Sequence, residues 1–96
     1  MQSSFFAPGA TAPVSVSGTS ARVAIPSGGT QLSVLHNLAS FVFMKFGDSS
    51  VTASTTDTPV EPGISRGFTK PGGVTHVAFI TSSATGTVYV TAGEGY

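Results

Sequence analysis

Six side chains in this chain could ligate a metal or move a proton near neutral pH: His36, His76, Asp48, Asp57, Glu61 and Glu94. Both histidines fall in strand-like runs, and neither has a carboxylate beside it at the spacing of a metal site. They therefore read as histidines satisfied by backbone or water rather than as a metal pair or a pH switch. His76 is in phase with Ala78 and Ile80, and out of phase with Val77 and Phe79. The four acids lie in turn or tail contexts. Asp48 follows Gly47 and precedes Ser49-Ser50, the setting of a turn acid that bonds nearby N–H groups. A glycosidase needs two carboxylates flanking one bond in a cleft, and a calcium loop needs several oxygen ligands at fixed spacing. Asp57, Thr58 and Glu61 meet neither requirement. Of 14 Ser and 13 Thr, only Ser65 sits in a Gly-x-Ser-x-Gly pattern, Gly63-Ile64-Ser65-Arg66-Gly67, and no helical stretch follows it to make the strand-to-helix turn of a nucleophile elbow. Gly28-Gly29 and Gly72-Gly73 lack the helix and Lys of a phosphate loop. The expectation is a protein that is not an enzyme, with no catalytic, cofactor-binding or metal-ligating residue.

The elements that would carry these residues are short and extended. No ten-residue stretch has helical periodicity, while strand-like runs recur every eight to twelve residues with turn signals between them. Residues 1–13, with Pro8, Gly9 and Pro13, read as an irregular N-terminal arm ahead of a single β domain over 14–96. Runs at 14–17, 22–25, 31–34, 41–46, 51–54, 64–68, 75–81 and 87–91 give about eight strands. Residues 55–63 read as a loop because Pro59 and Pro62 fix extended backbone. The last two strands look like a closing hairpin through residues 82–86. The expected fold is all-β: a compact antiparallel sandwich or small barrel, jelly-roll-like or immunoglobulin-like.

Composition narrows the partners. The 96 residues suit one domain, and a chain this short buries only about 60–65% of its unfolded surface. Charged residues are 8% of the chain, against roughly 25% in ordinary domains, and the formal net charge is zero. Four dispersed cations, Arg22, Lys45, Arg66 and Lys70, form no basic stripe, so nucleic acid is not an expected partner. No run approaches the roughly 20 apolar residues of a membrane helix, and residues 1–9 lack the basic start of a signal peptide. The absence of Cys removes disulfide and thiolate chemistry and suits assembly in a reducing cytoplasm.

Two runs are apolar in both strand phases: Phe41-Val42-Phe43-Met44-Lys45-Phe46 and Val77-Ala78-Phe79-Ile80. A sheet with one face in water alternates, so apolar residues on both faces call for a cover, such as another copy or another protein. Lys45 is in phase with Phe41 and Phe43, which assigns Val42, Met44 and Phe46 to the core and leaves Phe41 and Phe43 for a partner; in a closed barrel both sets would be internal. Phe5 and Phe6 would either anchor the arm in a neighbour or fold back as a strand. With Tyr96, these give the expected protein contacts: Phe5, Phe6, Phe41, Phe43 and Tyr96. An alternative is a small carbohydrate- or host-surface-binding module, for which an exposed Tyr89 or Tyr96 beside Asn37 and Asp48 would be the starting point.

Phe6-Ala7-Pro8-Gly9-Ala10-Thr11, Ser20-Ala21-Arg22-Val23-Ala24-Ile25-Pro26, Phe46-Gly47-Asp48, Val51-Thr52-Ala53-Ser54, Thr56-Asp57-Thr58-Pro59-Val60, Thr75-His76-Val77-Ala78 and the closing Val88-Tyr89-Val90-Thr91-Ala92-Gly93-Glu94-Gly95 span nearly the whole chain. Together they resemble small structural proteins of tailed bacteriophages, encoded among the head genes. The resemblance implies a virion component, foremost a capsid decoration (cement) protein that binds junctions between subunits of the major capsid protein. Alternatives are a head-fibre, tail or adaptor component. It further implies a homo-oligomer, a dimer or trimer, located on the capsid surface, with no cofactor.

Overall fold

The computed structural model describes residues 7–26, 29–63 and 66–94. Eight strands follow one another: β1 (Ala7–Val16), β2 (Ala21–Ala24), β3 (Gln31–His36), β4 (Val42–Gly47), β5 (Thr58–Val60), β6 (Arg66–Thr69), β7 (His76–Thr81) and β8 (Gly86–Glu94). They form two four-stranded antiparallel sheets, ordered β1-β8-β3-β6 and β2-β7-β4-β5. The ladders explain that order. β1 pairs with β8, β2 with β7, β3 with β6 and β4 with β5, so the chain is one long hairpin whose tip is the segment 48–57. Successive pairs fall in opposite sheets, and the β3·β8 and β4·β7 ladders close each sheet. This is the winding of a jelly roll rather than of an immunoglobulin sandwich.

Alternation along the strands supplies the core. Val14, Leu32, Val34, Val88, Val90 and Ala92 point inward from the first sheet, and Val42, Met44, Val60, Val77 and Phe79 from the second. Phe79 and Leu32 are fully buried. Phe46 and Phe68 meet edge to face, centroids 6.3 Å apart, at the margin between the sheets. Arg66 lies 5.9 Å over the Phe68 ring and pairs with Glu61.

Several sequence expectations are corrected. Of the arm expected over 1–13, residues 1–6 lie outside the described residues, while 7–13 are the first part of β1. Pro8 and Pro13 are tolerated because β1 is an edge strand, and one extra residue between Pro8 and Thr11 bulges it against β8. The loop expected over 55–63 contains β5, a three-residue edge strand that includes Pro59. The strand expected at 51–54 does not form. Nor do β7 and β8 make a closing hairpin, because residues 82–85 carry the chain from one sheet to the other. Among the described strands only β4 and β5 are joined within a sheet.

Segment 48–57 answers the question of the second apolar face. It folds back over the outer side of the β2-β7-β4-β5 sheet, where Val51 and Ala53 form a small second core with Ala78 and Ile80. Ala78 is fully buried there. The Ala53 N–H donates to Ser20 Oγ at 2.8 Å, and an Asx turn at Asp48 and a turn that Asp57 closes back onto Ser54 shape the segment. Asp48 Oδ1 accepts from the Ser50 N–H (2.9 Å) and hydroxyl (2.7 Å), and Asp57 Oδ2 accepts from the Ser54 N–H at 2.7 Å. Gly47 lets Val51 approach, since a Cβ at 47 would lie 2.6 Å from Val51 Cβ. The chain thus provides the cover that the sequence left open for β7.

Candidate functional site

The two outer faces differ. On the β2-β7-β4-β5 sheet, one transverse row sets Arg22, Ala78 and Lys45 abreast, and the next sets Ile80, Phe43 and Pro59 abreast. Phe43 is half-buried and Pro59 exposed. Phe41, in phase with Phe43 and one residue ahead of β4, is 46% exposed. Of the expected contact residues, Phe41 and Phe43 therefore share a side, away from Val42 and Met44 in the core. Phe5, Phe6 and Tyr96 lie outside the described residues.

The outer face of the β1-β8-β3-β6 sheet carries no charged residue on its three central rows. These are Thr11, Thr91, Ser33 and Gly67; then Pro13, Tyr89 and Leu35; then Ser15 and Thr87. Thr11 and Thr91 share a hydroxyl hydrogen bond of 2.8 Å. Tyr89 is 49% exposed, and it borders an open recess of about 240 Å³ lined by Asn37, Leu38, Thr85, Gly86, Thr87 and Tyr89.

Buried groups hold this recess in shape. His36, at the end of β3, is almost fully buried. Its Nδ1 accepts from the Leu38 N–H at 3.2 Å, which leaves the ring proton on Nε2 to donate to the Val60 carbonyl at 2.8 Å. The Gly63 N–H donates to the His36 carbonyl at 2.8 Å. His36 thus ties β3 to the edge of the other sheet and sets the path of Asn37 and Leu38. Across the recess, the buried Thr81 hydroxyl donates to the Ala84 carbonyl, and the Thr81 N–H donates to the Ser17 carbonyl at 2.9 Å. These bonds fix the corner that bears Thr85. Leu38 lies over Gly86, where a Cβ would come within 3.0 Å of it.

The structure brings Tyr89 and Asn37 together but not Asp48, which follows the far end of β4 beside the start of β7. His76 Nδ1 is hydrogen-bonded to the Thr75 hydroxyl at 2.9 Å, and Glu61 is held by Arg66. Among the described residues no three His, Asp or Glu gather at one point. Leu38, Thr85, Gly86 and Thr87 were not legible as site residues. Only the alternation of Thr87 with Tyr89 hints that these two share a face. No family model matches the chain, and neither a curated protein nor a solved structure matches it.

Proposed function

We propose that the protein works by contact, as a virion structural component, and specifically as a decoration protein that binds between subunits of a bacteriophage capsid as a dimer or trimer. The observation that carries this reading is the apolar strip of half-buried Phe43 and exposed Pro59, abreast on β4 and β5, beside exposed Phe41. Arg22 and Lys45 lie on the next row, two strands apart and so about 10 Å from each other. Such a face suits a partner surface that is apolar at its centre and acidic at its rim. The sheet edges are poorly suited to strand addition: β2 and β6 have four residues, β5 three with a Pro, and β1 carries two Pro and a bulge. Contacts would therefore run through faces. Many such modest contacts on a symmetric shell add by avidity, and binding only the mature lattice stabilises it by mass action. Head-fibre, tail and adaptor roles use the same surface at another place in the virion.

The test is light scattering on the free protein, then sedimentation with undecorated capsids. Binding in a fixed ratio to capsid subunits is the expected result, and no binding to intact shells would move the role to tail or fibre. Phe43→Ser should weaken capsid binding at least tenfold while lowering the melting temperature of the free protein only slightly. Equal loss of both would make Phe43 a core residue.

A further inference from the structure

We propose that the recess beside Tyr89 is a binding site for a neutral saccharide, taking one sugar ring. This does not depend on where in a virion, or in any assembly, the protein sits. Size comes first. About 240 Å³ falls below the roughly 300–1,000 Å³ of sites for drug-sized ligands, so a peptide or nucleotide would not fit within it. Charge comes second. None of the six lining residues is ionisable at neutral pH, so nothing there would select a phosphate, a carboxylate or a cation.

Hydrogen-bonding type comes third. A sugar hydroxyl both donates and accepts, and so do the groups offered here. The Asn37 amide supplies donors and an acceptor, and the Thr85, Thr87 and Tyr89 hydroxyls each supply both. None of these four side chains has a hydrogen-bond partner among the described residues. Apolar surface comes fourth. Leu38 and the Tyr89 ring offer carbon to the C–H face of a pyranose, and a half-exposed tyrosine loses little rotamer entropy when covered. Finally, the site is formed in advance. Asn37 and Leu38 follow from the His36 bonds, and Thr85 follows from the Thr81 corner. A contact this small would be weak in one copy and strengthened by repetition in an oligomer.

Backbone amide shifts of the free, isotope-labelled protein test the proposal, with glucose, galactose, mannose and N-acetylglucosamine titrated separately. At least one of them should shift the Asn37, Leu38, Thr87 and Tyr89 amides saturably at millimolar concentration, equally at low and high salt. Tyr89→Ala and Asn37→Ala should each weaken that binding tenfold or more, with the core amides of Val34 and Phe79 unmoved, and Leu35→Ala should leave it unchanged. The proposal is overturned if none of these sugars shifts the recess. It is equally overturned if only a charged analogue such as glucose 6-phosphate does, or if protein concentration alone moves the same amides, which would make the recess a contact between copies.

Discussion

His36 illustrates how much one buried polar side chain decides. Its two ring nitrogens are both occupied by backbone groups, one from its own loop and one from the opposite sheet. Replacing it by Leu would keep the volume and leave the Leu38 N–H and the Val60 carbonyl buried and unpaired. At about 1–3 kcal/mol for each group, His36→Leu should lower stability by about 2–6 kcal/mol in urea unfolding. Because His36 positions Leu38, the same variant should also loosen the recess beside Tyr89. Asp48 is a different case, exposed and held by its neighbour. The Ser50 hydroxyl, then the Ser50 N–H, favour its charged form and hold its carboxyl below the ordinary 3.8. A depressed folded value means that its contribution is present above the unfolded value and is lost as pH falls through the folded one. The melting-temperature advantage of the natural protein over Asp48→Asn should therefore be constant near neutral pH and shrink on acidification below about pH 4. Both side chains had visible sequence signals, but of unequal reach. The Gly-Asp-Ser-Ser turn is local chemistry. No spacing in the chain announces that residue 36 will meet the carbonyl of residue 60.

At the scale of elements, alternation was a reliable sign of burial and a poor sign of pairing. Residues 51–54 alternate as a strand would, and Val51 and Ala53 are indeed buried. They pack on the back of β7 without joining a ladder, because a segment laid over a sheet buries alternate side chains as a paired strand does. The converse error is β5, where two prolines disguise an edge strand that needs few N–H groups. The cover formed by 48–57 depends on Gly47. Gly47→Ala would force Val51 away from β4, and by the cost of overpacking it should destabilise the protein by about 1–3 kcal/mol. Hydrogen exchange would check the mechanism: protection should fall in 51–53 and at Ala78 before it falls in β3 and β8. Loss of protection across the whole molecule at once would mean that the segment is part of the main core.

In the molecule as a whole, β1 pairs with β8, so the first and last of the described strands must meet before the β1-β8-β3-β6 sheet is complete. Non-local pairing of this kind is slow to form, and folding should take milliseconds to seconds in stopped-flow refolding, in contrast to the microseconds of helical bundles. A faster rate would imply that the β4·β5 tip forms a nucleus stable enough to pull the remaining pairs together. The same wrapping sets the two outer faces, one with Phe43 and one with Tyr89 beside the recess, on opposite sides of the main core. The sequence by itself determined an all-β domain of about eight short strands and the turn at Asp48, and the phase of Lys45 pointed to Val42 and Met44 as the inward set. Those properties follow from period-two alternation and from turn chemistry, both readable within a few residues. Only the tertiary structure decided the jelly-roll order, the internal cover over Ala78, and the meeting of Asn37, Thr85 and Tyr89. Strand order depends on which edges meet once the hairpin rolls up, and that choice is made by the summed burial of residues far apart in the chain, which no local pattern encodes.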